Sequence, residues 1–241
     1  LLGISCNVIA VNPKEPSYNS SITTLRAGGG SSGGSHSTSG GSSSSHYGRK
    51  GYSSPFSNII SAIIFIPILF ASTIILYFKV LRASFNSKRY LRLLDNKDST
   101  FKYKNIEKRV IETFYIVEEA WTNNDISKAK EYMDKDLYEN FKSKLEWMDI
   151  NNRRNILKKI RLVNLKPVSV YDDKDDNKDL IWFYIKGKMI DYIIDTKTKN
   201  IVSGNTKNKS FVEFWKFVKN DDNKWVLSEI LQEDESKKIG L

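Results

Sequence analysis

Residues 210–218 read SFVEFWKFV, and this short run decides the fold class. Val, Phe and Trp dominate it, and neither Gly nor Pro interrupts it, which favours an extended chain with side chains alternating between two faces. One parity then carries Phe211, Glu213, Trp215 and Phe217, so three aromatic rings and a carboxylate share a side. Comparable runs flank it. Residues 160–171 are rich in Val, Leu and Ile, residues 180–192 read LIWFYIKGKMIDY, and residues 225–231 read WVLSEIL. The connections DDKDDNKD, DTKTKN and NDDN are polar and turn-forming. A meander of about four antiparallel strands is expected.

Upstream the period changes. Ile106, Val110, Phe114, Val117 and Trp121 recur at spacings of four, four, three and four, one apolar stripe of an α-helix, with Glu107, Lys108, Glu118 and Glu119 off it. Asn123-Asn124-Asp125 ends that helix, and Asp125 is a cap for a second helix, or a broken pair, that runs through Leu137, Phe141, Leu145 and Met148. Asn151-Asn152 interrupts it before a basic stretch at 153–159. Helices first and strands afterwards predict an α+β domain with the helices laid on one face of a curved sheet.

These residues carry a resemblance. Ala120-Trp121 followed by Asp125, then Tyr132-Met133 and Leu137-Tyr138, the E-x-W-x-F element from Glu213 to Phe217, and W-x-L-x-x-I from Trp225 to Ile230 are together similar to the Tim44-like domain. The family takes its name from the tether of the import motor at the mitochondrial inner membrane. The similarity spans about 104–233 and resembles bacterial-type members, which also have a signal peptide, a Gly/Ser-rich segment after an Arg-Ala pair such as Arg26-Ala27, and one membrane span. It implies a cone-shaped fold related to nuclear transport factor two, membrane association and a non-enzymatic role. An import-motor role is not carried over.

Residues 56–78, FSNIISAIIFIPILFASTIILYF, contain no charge. As a helix they would extend about 35 Å, against about 30 Å of bilayer hydrocarbon, so a single transmembrane helix is expected, with Pro67 tolerated inside it. Lys79, Arg82, Lys88, Arg89, Arg92 and Lys97 follow the span, whereas Arg49 and Lys50 precede it. That imbalance places the C-terminal domain in the cytoplasm and the N-terminus outside the cell membrane. Charge is local in this chain: residues 1–78 are net +3, residues 79–104 net +6 and residues 105–241 net +1, within a total of +10. Basicity beside an apolar segment, on a nearly neutral domain, argues against a nucleic-acid partner. Lys79, Arg82, Lys88, Arg89 and Arg92 either contact anionic headgroups or only set topology.

The organisation expected is a truncated signal peptide (1–10), an extracytoplasmic Gly/Ser-rich disordered segment (11–55), the transmembrane helix (56–78), a basic juxtamembrane segment (79–103), the Tim44-like domain (104–233) and a tail (234–241). Cleavage after Ala10 competes with lipidation at Cys6, the sole cysteine.

The histidines, His36 and His46, both lie in the Gly/Ser tract. No zinc site, Cys/His dyad or Ser/His/Asp triad can therefore form in the folded part, and we assign no catalytic residue, metal or cofactor. Asp173, Asp175 and Asn177 begin like a calcium loop, but Lys178 and Tyr184 stand where that loop needs Gly and Glu. Trp121, Tyr138, Trp182, Tyr184, Glu213, Trp215 and Phe217 are candidates for a pocket or partner surface. The expected function is a membrane-anchored module that binds a protein or lipid at the membrane surface; the alternative is a pocket protein or enzyme of the cone superfamily acting on a small apolar molecule.

Overall fold

The computed structural model describes residues 71–173 and 178–241. The expected signal peptide, the Gly/Ser segment and residues 56–70 of the expected span lie outside the described residues. Among the described residues no helix is long and apolar enough to cross a membrane.

Helix α1 (Ala71–Asp95) leads through a 3₁₀ turn (Ser99–Phe101) into α2 (Tyr103–Thr122), and a 3₁₀ segment (Ile126–Tyr132) leads into α3 (Lys135–Ile150). Four strands follow: β1 (Arg153–Tyr171), β2 (Leu180–Asp195), β3 (Ile201–Lys219) and β4 (Trp225–Gln232). They form one antiparallel sheet in the order β1-β2-β3-β4, the expected meander. The fold is α+β.

The apolar stripe of α2 is buried as its spacing demands, with Ile106, Val110, Phe114, Val117 and Trp121 at 1% exposure or less. Asn124 and Asn152, just past the ends of α2 and α3, take left-handed backbone, a conformation Asn adopts more readily than most residues. Asp134 caps α3 by accepting a bond from the Leu137 amide at 2.8 Å.

Three expectations need correction. The basic stretch at 153–159 is already β1, because Leu157 is buried and Arg153 pairs with Asp195 at the end of β2. Likewise β3 starts at Ile201 rather than at Ser210, since its polar first half pairs with β2 across a hairpin; pairing overrides the low strand preference of SGNTKNKS. Finally, the two expected helices, α2 and α3, do lie on one face, but residues expected to be only a basic juxtamembrane segment form a further helix on the other. Ile181, Phe183 and Ile185 pack with α2 and α3 in the main core, while the alternate residues Trp182 and Tyr184 pack with Val168, Phe214, Leu231 and Val80 of α1 in a second cluster. The segment read as juxtamembrane is therefore partly an α1 that covers the opposite face of the sheet.

Candidate functional site

Along α1, Val80, Ser84, Ser87, Leu91 and Leu94 are buried, at spacings of four, three, four and three. One side of the helix is thus committed to the domain. The other side carries Phe78, Phe85 and Leu93, 64%, 71% and 56% exposed, with Arg82, Arg89 and Arg92, also exposed, among them. At 100° per residue these six fall within about a third of the helix circumference. Asp95, at the helix end, is its only carboxylate. Of the cations singled out from the sequence, Lys79, Arg82, Arg89 and Arg92 are exposed, while Lys88 is half-buried with its Nζ 5.0 Å from the Tyr103 ring centre. An exposed face of large apolar and basic side chains, one turn apart, matches the interface between hydrocarbon and anionic headgroups.

The connection from α1 to α2 is fixed by an ion cluster in which Lys219 and Asp179 are buried and Asp98 is partly exposed. Lys219, near the end of β3, places its Nζ 2.9 Å from Asp179 Oδ2 and 3.1 Å from Asp98 Oδ2. The Phe101 and Trp225 rings flank the ammonium at 4.4 and 5.6 Å. Asp98 also caps the 3₁₀ turn by accepting from the Thr100 amide at 2.8 Å, and Trp225 Nε1 donates to Thr100 O at 3.1 Å. Burial works against the charge on both Asp98 and Lys219. Hydrogen bonds prevail: Thr100 and Lys219 hold the Asp98 carboxyl below the usual carboxylate range, and Asp179 and Asp98 hold the Lys219 ammonium above the usual lysine value. Asp179 Oδ1 accepts from the Asp173 amide as well, so this carboxylate serves the clasp. In the sequence it is the last residue of the polar connection DDKDDNKD, which reads as a solvated hairpin tip.

The seven pocket candidates do not converge on one site. Trp121, Trp215 and Phe217 lie in the main core, with Trp121 5.3 Å from Phe141 and Trp215 5.6 Å from Phe114, ring centre to ring centre. Trp121 Nε1 donates to Asn155 Oδ1 at 2.8 Å, and Asn155 Nδ2 donates to Asp191 Oδ1 and Tyr192 O, tying α2 to β1 and β2. Glu213 is fully buried and accepts from Trp215 Nε1 at 2.9 Å and Gln232 Nε2 at 3.3 Å. Its oxygens serve the packing of neighbours. Trp182 and Tyr184 lie on the opposite face, and Tyr138 sits half-buried at the rim of the main core with Lys130 Nζ 5.8 Å from its ring centre. A surface cleft of about 340 Å³, bounded by Ser99, Thr100, Asn105, Arg109, Asn223, Lys224 and Trp225, lies apart from the candidates. Arg109 there is engaged by Trp225 O and Glu131 O and stacks 3.9 Å from the Tyr132 ring centre.

The sequence reading missed Phe78, Phe85 and Leu93. Their signal was present as large apolar residues one turn from Arg82 and Arg89, but a charge count does not register it.

The comparison with curated proteins finds no match. Among solved structures, the intermembrane space region of the chloroplast protein ARC6 matches at 14% identity and a TM-score of 0.41, covering 54% of this chain and 94% of that chain. The Tim44-like domain model matches residues 87–232, from the second half of α1 to the end of β4. That is more than half of the sequence, and the chain belongs to the Tim44-like domain family.

Proposed function

We propose that this chain is a non-enzymatic, membrane-anchored module whose α+β domain is held against an anionic membrane surface by the outer face of α1, where it binds a protein partner. The observation that carries this reading is the pairing of Phe78, Phe85 and Leu93 with Arg82, Arg89 and Arg92 on the side of α1 turned away from the domain. The apolar stretch at 56–78 runs directly into that face, so a span leaving the bilayer at Phe78 brings these side chains to the headgroups. Each cation near such a surface contributes about 1 kcal/mol, and the aromatic rings add apolar area. On the cone-shaped arrangement that the family implies, the helices and the sheet act as a rigid body presenting surfaces rather than as a catalytic vessel.

The test compares binding of residues 71–241 to phosphatidylglycerol and phosphatidylcholine vesicles. Salt-sensitive binding to the anionic vesicles, reduced by Arg82→Gln, Arg89→Gln and Arg92→Gln together, is expected. Equal binding to both vesicle types, or none, would refute the lipid contact.

A further inference from the structure

The near-neutral charge of residues 105–241 conceals a separation. Residues 153–161 and 186–210 contain eleven Lys and Arg against Asp191 and Asp195, net +9, which leaves the rest of 105–241 at net −8. Register brings these residues together, with Lys188 opposite Arg161 on β1 and Ser210 on β3. Eight of the cations are exposed: Lys158, Lys159, Arg161, Lys188, Lys197, Lys199, Lys207 and Lys209. The two carboxylates serve this basic arm, residues 153–161 and 186–210, itself. Asp191 accepts from Asn155, and Asp195 pairs with Arg153 at 3.7 Å and accepts from the turn amides of Lys197 and Thr198.

The arm also has an open edge. Strand β4 begins to pair with β3 at Glu213, so among the described residues β3 is paired on the β2 side alone from 201 to 212. Alternate backbone N–H and C=O groups of that stretch point away from β2. A bulge between Asn205 and Lys209 divides the edge into two short runs, 201–205 and 209–212. From 196 to 212 there are four lysines and no acidic residue. Lysines on an edge repel a second copy of the same edge and attract a strand of opposite charge.

We propose that this cationic arm docks an extended acidic segment of a partner protein, held by Lys197, Lys199, Lys207 and Lys209 and by backbone pairing along the open edge of β3. The proposal rests on the protein-binding reading above and names the chemistry of the partner. The arm's geometry favours a polypeptide over other polyanions. Lys188 shares its face with Arg161, whereas Lys209 pairs with Met189 on the opposite face, so the cations lie on both sides of the sheet. A planar bilayer reaches one side; a chain lying along the edge reaches both. Single-stranded nucleic acid binds largely by stacking on aromatic rings, and the arm's one aromatic residue, Tyr192, is half-buried with Lys158 Nζ 5.8 Å from its ring centre.

The experiment uses the full chain in neutral detergent and a fluorescein-labelled peptide of alternating glutamate and valine, with a glutamine-for-glutamate version as control. Binding should weaken as salt rises, weaken about tenfold in the Lys197→Glu, Lys199→Glu, Lys207→Glu, Lys209→Glu variant, and slow amide exchange within 201–212. A milder variant with Gln at the same four positions guards against misfolding and should show a smaller loss. The proposal is overturned if the glutamine peptide binds equally well, if the reversal leaves binding unchanged, or if oligouridylate or phosphatidylglycerol vesicles engage these lysines more tightly than the peptide. These outcomes are independent of the contact at α1, because substitutions at Arg82, Arg89 and Arg92 should leave peptide binding intact.

Discussion

Strands β2 and β3 each contain two regions of opposite character. In the first half of β2, residues 181–185 are all buried, enclosed by α2 and α3 on one face and by α1 on the other. Beyond Lys186 burial becomes intermittent: Met189 and Ile193 stay buried, while Lys188 and, on β3, residues 206–210 with Lys207 and Lys209 are exposed. One pair of strands thus supplies both core residues and an exposed basic edge. The transition lies at Gly187, where the Phe211 ring occupies the space a side chain would need, 2.3 Å from where a Cβ would stand. Stability should therefore reside in the first region and recognition in the second.

Substitutions at matched positions can break that comparison. Trp215→Ala, at a fully buried position between Phe114 and Glu213, should cost about 3 to 5 kcal/mol in denaturant unfolding. Lys219→Met should cost a similar amount, about 3 to 5 kcal/mol, because it leaves the buried Asp179 without its cation.

The ion cluster also predicts a pH profile. Asp98 is depressed, so its contribution is present above the ordinary carboxylate value of about 3.9 and is lost as pH falls through its lower folded value. Lys219 is raised, so its contribution is present below the ordinary lysine value of about 10.4 and is lost as pH rises through its higher folded value. In denaturant unfolding of the wild type across pH, their combined contribution should be constant between these limits and fall away beyond either.

Leu91→Ala sharpens the comparison at α1. A loss of about 2 to 5 kcal/mol is expected if this helix is part of the domain, as the complete burial of Leu91 indicates; a loss near zero would return α1 to the role of a linker. In the arm, Lys207→Ala and Lys209→Ala should each change stability by less than about 0.5 kcal/mol, measured in the same unfolding experiments.

The legibility of the sequence follows the same division. Where burial imposes a strict period, as in 106–121, spacing alone identified the element and its inward side; in 210–218 it identified the side facing α2 and α3 but not the burial of Phe214 on the other. The first half of β3 was not legible, because SGNTKNKS has the composition of a turn and is extended only through its pairing with β2. The placement of α1 was hidden for a different reason. Its buried stripe includes Ser84 and Ser87, which weaken the apolar signal, and its cations drew attention to charge rather than to the face opposite them. Among the site candidates, aromatic residues of alternating parity on β2 and β3 were grouped by type, and the structure separates Trp182 and Tyr184 from Trp215 and Phe217 by the thickness of the sheet. The Lys219 clasp joins residues 98, 179 and 219, too far apart in sequence for any local pattern to connect them.

The central claim is a division of labour, with α1 facing the membrane and the arm facing a partner. Vesicle binding by two charge-matched variants of residues 71–241 tests it most directly. One carries Gln at Arg82, Arg89 and Arg92, and the other carries Gln at Lys197, Lys207 and Lys209. Three cations are removed in each, so a purely net-charge effect would lower binding to phosphatidylglycerol vesicles equally. The account predicts that the first variant loses most of its binding and the second retains it; the reverse order, or equal losses, would contradict it.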